Sequence, residues 1–286
     1  MPTVMILGAG GMAGHMIGQF LVEKGFNVFG YALRTNKLLP FLKSLDVLDI
    51  SELNKTIDAL APDAIVNCVG ILNQFADLHN ERAVYLNSYL PHWLAKKTNG
   101  SSTKIIHLST DCVFSGKAGL YKVDDFCDGD TFYDRSKALG EIRNGKDLTL
   151  RQSIIGPDLN RNGIGLLNWF LLQKGDIKGY RNSHWNGITT LQLAKGIEAS
   201  ILQDHFGLIH YVSKKIVSKC ELLIMFDSVF PNDRVKIEPF QNHPRTNKSL
   251  SFAEGHKLPE VPSYETMLNE LKSWMNTHPA LYKHYF

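Results

Sequence analysis

The sequence predicts an α/β fold, a doubly wound parallel sheet followed by a smaller, irregular region. Three observations predict it. Apolar runs of strand length alternate with segments of helical periodicity through the first half of the chain. A turn holding Gly8, Gly10, Gly11 and Gly14 joins the first such run to the first helix. Polar or glycine-containing stretches follow other apolar runs, at the carboxyl ends of what would be parallel strands, where such sheets bind ligands.

Thr3 to Leu7 is an apolar run suited to a buried strand. Met12, Met16, Ile17, Phe20 and Leu21 recur at helical spacing after the glycines, so one helix face packs on the sheet. Gly8 permits the tight turn, Gly11 lets backbone approach a pyrophosphate, and Gly14 lets the helix lie close to the strand. The helix N-terminus, beginning near Met12, offers free N–H groups and a positive dipole end to phosphate. The spacing G-x-x-G-x-x-G is not the commoner G-x-G-x-x-G, but its place directly after a strand favours a dinucleotide site in a Rossmann-type sheet.

Asn27 to Tyr31 is the second strand. No acid occurs between Glu23 and Asp46 to bind a ribose 2′-hydroxyl; Arg34 stands at that distance instead, with Lys37 near it. A guanidinium there suits a 2′-phosphate, so NADPH is preferred, with NAD possible. Asp46 to Ile50 is expected as a third strand, placing Asp49 and Ile50 by the adenine. Ser51 would cap a helix to about Leu60 that Pro62 ends. Ala64 to Val69 is uniformly apolar and central. Its end brings the backbone of Cys68, Val69 and Gly70 past the cofactor.

Glu81 to Lys97 reads as a helix with Asn87 inside and Pro91 as a kink or restart. Lys104 to Leu108 is the fifth strand and runs into Ser109 and Thr110. A helix spans about Thr131 to Arg143, and Leu148 to Ile155 is the sixth strand. Beyond Gly156 the alternation loosens: helices at Gly163 to Lys174 and Leu191 to Leu202, a strand at Leu208 to Val212, and an amphipathic helix from Tyr264 to Met275. Residues 1–156 are expected to form the dinucleotide-binding domain. Residues 157–286 would be a substrate-binding region interleaved with it.

The chain has 286 residues, 44% of them hydrophobic, and a net charge of +3, which gives no case for nucleic acid as a partner. No apolar run approaches membrane-spanning length. Met1 and Pro2 lead straight into the first strand, so no leader is expected. Cys68, Cys112, Cys127 and Cys220 show no C-x-x-C spacing and read as reduced thiols of a cytoplasmic protein. The histidines, His15 by the phosphate site and His107 in a strand among them, show no metal-binding pattern, so no metal is expected.

Tyr133 and Lys137 stand four residues apart on one helix face. A phenol is too weak an acid for easy proton exchange at neutral pH. An ammonium beside it favours the phenolate and brings it towards the working range. Lys137 also reaches the nicotinamide ribose. Thr110, or Ser109, would hydrogen-bond a substrate carbonyl. Asp111 either braces its loop or reaches substrate, and Asn87 either positions backbone or water near Lys137 or merely interrupts its helix. Ser109, His107 and Asp111 make no hydrolase triad, because three residues of one strand end point different ways and no nucleophile elbow exists.

These motifs together resemble the extended short-chain dehydrogenases/reductases, most closely the dTDP-4-dehydrorhamnose reductase group. Gly8-x-x-Gly11-x-x-Gly14 is similar to the group's cofactor loop. Ser109 to Gly116 resembles S-T-D-Y-V-F-x-G, Tyr133 to Glu141 resembles Y-G-x-x-K-x-x-G-E, and Leu150 to Ser153 resembles L-R-x-S. Cys112 stands in place of the tyrosine and Asp134 in place of the glycine.

The resemblance implies that Thr110 polarises a keto oxygen, Tyr133 protonates it and Lys137 supports both Tyr133 and the ribose. NADPH would reduce a nucleotide-linked 4-keto-6-deoxy sugar for cell-surface polysaccharide. Cofactor contacts would come from Gly8, Gly11, Met12, Gly14, Arg34, Asp49, Ile50, Cys68, Val69, Gly70, Asn87, Ser109 and Lys137. Substrate contacts would come from Asp111, Val113, Phe114, Asn186 and Arg245, and a homodimer is possible. Two other readings stay open: a nucleotide-sugar 4-epimerase with tightly bound NAD, and a non-catalytic NADP-binding regulatory subunit.

Overall fold

The structure, a computed structural model, describes residues 1–241, 243–252 and 258–286. β1 (Thr3–Leu7) is followed by α1 (Met12–Glu23) and β2 (Asn27–Ala32), which lies parallel to β1. Along β1 the side chains alternate as a strand requires: Val4 and Ile6 enter one hydrophobic cluster with Met16 and Ile17, Met5 and Leu7 the other with Leu53 and Leu90. Both faces of the sheet are therefore covered. Full burial of each such side chain stabilises the fold by about 1.5–3 kcal/mol.

The third strand, β3 (Leu42–Ser44), lies upstream of the expected Asp46 to Ile50. That stretch is a turn, because Asp46 accepts from the Leu48 N–H and Asp49 from the Glu52 N–H. Short carboxylates that capture nearby backbone donors compete with strand pairing. Asp49, not Ser51, caps α2 (Ile50–Leu60), which gives way to the left-handed Ala61.

β4 (Ala64–Asn67) is buried throughout. A short α3 (Asn73–Leu78) comes first, and the single helix expected over Glu81 to Lys97 is α4 (Asn80–Ala83), a π-helical turn (Val84–Tyr89) and α5 (Leu90–Lys97). Pro91 has no N–H for the Asn87 carbonyl, and the wider turn, with Leu90 N–H donating to Tyr85, absorbs the mismatch.

β5 (Lys104–Leu108) leads to a 3₁₀ turn at Asp111–Val113 and to α6 (Phe132–Leu139). Thr131 and Asp134 cap α6 reciprocally. α6 stops before Gly140, short of Arg143. Gly140 lies against the Asn87 carbonyl, where a Cβ would collide.

The sixth strand divides into β6 (Leu148–Arg151) and β7 (Ile154–Ile155). Then come α7 (Leu166–Leu172), β8 (Gly175–Tyr180), β9 (Ser183–Trp185), β10 (Ile188–Thr189), α8 (Thr190–Leu202) and β11 (Gly207–His210). β12 (Val217–Ser218), α9 (Lys219–Val229), β13 (Val235–Phe240), β14 (Thr246–Asn247) and α10 (Tyr264–Thr277) complete the elements.

Seven parallel strands form the main sheet in the order β11-β6-β5-β4-β1-β2-β3. The order reverses at β1, so β1 and β4 open a crevice at their carboxyl ends. β7 leaves the sheet to pair with β10. β9 pairs with both β12 and β14 in a separate three-stranded sheet. Among the described residues no helix is long and apolar enough to cross a membrane.

Candidate active site

The glycine turn is shaped by close approach. Gly8 has φ of 78°, and a Cβ on it would sit 3.0 Å from the Cys68 carbonyl. A Cβ on Gly14 would collide with the Gly8 carbonyl. Gly11 is exposed at the N-cap of α1, makes no side-chain cap bond and precedes a first turn without acids. The donors there stay open and unopposed, which fits a dinucleotide pyrophosphate. Met12 beside them is half-buried against Gly165, and Arg34 is exposed just past β2.

His15 does not face this opening. Its ring is fully buried, with Nδ1 2.9 Å from the Gly11 carbonyl and Nε2 3.0 Å from the Tyr282 hydroxyl. Burial drops its pKa to about 4, so it ties the glycine turn to the C-terminal segment as a neutral ring.

Cys68 connects this turn to the chemistry. Its peptide abuts Gly8, and its thiol feels Lys137 while burial pushes it up to about 12. Val69 and the exposed Gly70 follow. Asn87 is fully buried, and all its side-chain bonds are internal. It accepts from Ile71 N–H at 2.9 Å and donates to the Ile71 carbonyl and Ser136 Oγ, both at 3.0 Å. It fastens the Gly70 turn to α6, and so positions backbone near Lys137.

Lys137 is 4% exposed and donates to the Leu108 carbonyl at 2.6 Å. Burial lowers its pKa to about 8, against the opposing pull of Glu141 and Cys68. Tyr133, one turn earlier on α6, is 7% exposed, with the Thr110 hydroxyl near enough to act on it. Burial is the first cause raising its pKa above 10, Cys112 adds to it, and Thr110 opposes. The expected depression of Tyr133 by Lys137 is thus absent here: burial raises the phenol, and the neighbours that act on it are Cys112, Thr110, Asp111 and Asp134. The phenol stays protonated, the form a reduction needs.

Thr110 donates to Asp111 at 3.2 Å and accepts from Cys112 N–H at 3.1 Å. Ser109 is turned away: its hydroxyl donates to Glu141 at 2.7 Å. Glu141 in turn grips Arg151 at 2.8 and 2.6 Å, so Ser109 anchors Thr110 from behind.

Asp111 is buried, and burial raises its pKa against Lys219 and Lys248. These two lysines come from the start of α9 and the residue after β14, and no pattern near them in sequence marked their convergence. Lys219 also lies over the Trp185 ring at 4.5 Å. Lys248 bonds Cys112; burial works against its charge, but Cys112, Asp134 and Asp111 together raise it.

Four expected contacts have other surroundings. Val113 and Phe114 are fully buried, and Phe114 stacks between Tyr121 and the Arg151 guanidinium. They pack the floor behind the site and do not line it. Asn186 spends its amide on the Ser213 and Leu250 backbone, at 2.8 to 3.0 Å. Asp49 holds the α2 N-terminus, with Ile50 half-buried after it. Arg245 is exposed just before β14. Among the described residues no group of three or more His, Cys, Asp or Glu side chains gathers to hold a metal.

Residues 2–156 match the family model described as RmlD substrate binding domain. A dTDP-4-dehydrorhamnose reductase of Aggregatibacter actinomycetemcomitans is 31% identical over 257 residues, covering 85% of this chain and 84% of that protein. The chain belongs to the RmlD family. The RmlD family lies within the extended short-chain dehydrogenases/reductases, and the four motifs read in the sequence all fall inside the matched residues.

A dTDP-4-dehydrorhamnose reductase of Bacillus anthracis, solved in complex with NADP, shares the fold at TM-score 0.80 over 96% of this chain and 99% of that one, with 19% identity. The methionine adenosyltransferase 2 subunit beta of Danio rerio is 29% identical over 139 residues, 48% of this chain and 42% of that protein. Likeness over about half of this chain therefore extends to a protein named as a subunit of another enzyme.

Proposed function

We propose that this RmlD-family protein is an NADPH-dependent reductase of a nucleotide-linked 4-keto-6-deoxy sugar, serving polysaccharide assembly. The observation that supports the reading is the pair Tyr133 and Lys137 one helical turn apart on α6, with Thr110 acting on Tyr133 and with Cys68, whose peptide abuts the glycine turn, beside Lys137. The open donors of the first turn of α1, from Met12 on, would hold the pyrophosphate, and Arg34 the 2′-phosphate. When bound, NADPH supplies a hydride to the sugar C4.

The chain's own residues do the rest. Thr110 fixes the carbonyl oxygen by hydrogen bonding. Tyr133 gives that oxygen its phenolic proton as the carbon is reduced, so the ketone becomes an alcohol and a phenolate remains. Burial keeps the phenol protonated until an oxygen more basic than a phenolate forms beside it. Asp111, with Lys219 and Lys248 facing it, would meet the sugar.

Arg34→Ala tests the cofactor assignment. A charge-assisted bond to phosphate is worth about 1.5–3 kcal/mol, so kcat/KM with NADPH falls roughly 10- to 100-fold while that with NADH hardly changes. A wild-type preference for NADH, or equal losses with both cofactors, refutes the assignment. Purified protein that carries NAD and turns over without added reductant supports the epimerase reading. Failure to oxidise NADPH with every nucleotide ketosugar supports the regulatory-subunit reading, which the Danio rerio likeness keeps in view.

A further inference from the structure

The turn after α10 reaches the glycine turn through a buried series of hydrogen bonds, and the partners fix every hydrogen in it. His15 Nδ1 lies 2.9 Å from the Gly11 carbonyl, which only accepts, so the neutral ring carries its hydrogen on Nδ1. His15 Nε2 is then an acceptor, and its partner at 3.0 Å, the Tyr282 hydroxyl, donates to it. The Tyr282 oxygen in turn accepts from Trp274 Nε1–H at 3.3 Å, since an indole nitrogen only donates. His15 and Tyr282 are 0% exposed, so bulk water replaces neither bond of the imidazole. Burial keeps that ring neutral, with a pKa of about 4, and keeps the phenol protonated.

These bonds hold a single peptide. The Gly11 carbonyl and the Met12 N–H belong to one planar unit, so fixing the oxygen aims the N–H the opposite way. That N–H is the first of the open donors at the start of α1. The His15 backbone N–H also bonds the Gly11 carbonyl, at 3.0 Å. An ordinary first helical turn has only that bond, and helix ends fray. The imidazole supplies a second. A carbonyl that accepts two hydrogen bonds also polarises its own peptide, which makes the Met12 N–H a stronger donor.

We propose that Tyr282 is a positioning residue for dinucleotide binding: acting through His15, it aims the Met12 N–H at the cofactor pyrophosphate. This rests on the start of α1 being the pyrophosphate site. The turn that carries Tyr282 is itself tied down. Tyr285 N–H donates to the Tyr282 carbonyl at 3.0 Å, and the Tyr285 hydroxyl accepts from Asp158 N–H at 2.9 Å and donates to Asn168 at 2.6 Å. Asp158 also accepts from Gly165 N–H at 3.1 Å, and Gly165 lies against Met12. One turn thus holds the aimed peptide and the loop beside it.

The test titrates the full-length protein with NADPH by fluorescence and needs no sugar. Tyr282→Phe raises Kd at least about threefold, within what one neutral hydrogen bond contributes. Adenosine 2′-phosphate, which lacks the pyrophosphate, competes with the same affinity in wild type and variant. His15→Asn keeps an N–H where Nδ1 stood but is too short to reach Tyr282, so adding Tyr282→Phe to it raises Kd no further. Equal losses for NADPH and the fragment, or losses that add across the two substitutions, mark a general loosening and overturn the proposal. An unchanged Kd in Tyr282→Phe does the same.

Wild-type protein that binds no NADPH overturns the reading of the site, and the proposal with it. The ring is checked apart from any cofactor by a long-range ¹H–¹⁵N spectrum of histidine-labelled wild type near neutral pH, with His15 assigned from His15→Asn. His15 shows its hydrogen on Nδ1. A hydrogen on Nε2 overturns the proposal even if NADPH binds.

Discussion

Tyr133→Phe lowers kcat for ketosugar reduction roughly 10²- to 10⁴-fold, the range over which a positioned general acid contributes. The substitution removes one oxygen from a residue that is 7% exposed, so the ring still fills its place against Ala76 and Ala83. What is lost is the proton that the product oxygen must receive. Binding of NADPH should hardly change, because the turn of Gly8, Gly11 and Gly14 is separate from the phenol. Steady-state kinetics beside a fluorescence titration with NADPH makes the comparison. A variant with wild-type kcat removes Tyr133 from the mechanism. A variant that fails to bind NADPH shows that the hydroxyl serves cofactor binding and not only proton transfer.

Glu141→Ala lowers unfolding free energy by about 3–5 kcal/mol, the cost of leaving a buried charge without its partner. Arg151 has a fully buried side chain and donates to Glu141 through two nitrogens. Its other partners among the described residues are the Val123 carbonyl, the Cys127 sulfur, His210 and the Phe114 ring; burial pushes the Cys127 thiol up, so none of them carries a compensating negative charge. His210 is held to about 4, first by burial and then by Arg151, so it is neutral beside the guanidinium.

The same substitution frees Ser109, whose hydroxyl is held by Glu141, and so loosens Thr110. Denaturant unfolding measures the loss. Glu141→Leu combined with Arg151→Met recovers much of it, since an apolar pair replaces a charged one at small net cost. A loss under about 1 kcal/mol in Glu141→Ala would mean that water or another group reaches Arg151.

What was legible in the sequence was local. β1, the glycine turn and α1 follow from period and from the absence of a Cβ at Gly8 and Gly14. Tyr133 and Lys137 follow from a spacing of four, which puts both on one helix face before any tertiary structure is known. The third strand was misread because Asp46 and Asp49 bond their own backbone, a competition that apolar patterning does not register. The rest depends on topology. His15 meets Tyr282, Glu141 meets Arg151, and Lys219 and Lys248 meet Asp111 only once β6, β9 and β14 are in place. Val113 and Phe114 look like site residues because they follow Thr110, yet the 3₁₀ turn rotates them into the core.

The most direct measurement follows deuterium. NADPH labelled at the transferable C4 position is mixed with a nucleoside-diphosphate 4-keto-6-deoxy sugar and the protein, and the product is analysed by mass spectrometry and NMR. The account predicts one deuterium at the sugar C4, in step with loss of NADPH absorbance, and neither signal with Tyr133→Phe on the same timescale. Product formed without deuterium, or NADPH bound but not oxidised with any such sugar, would contradict it.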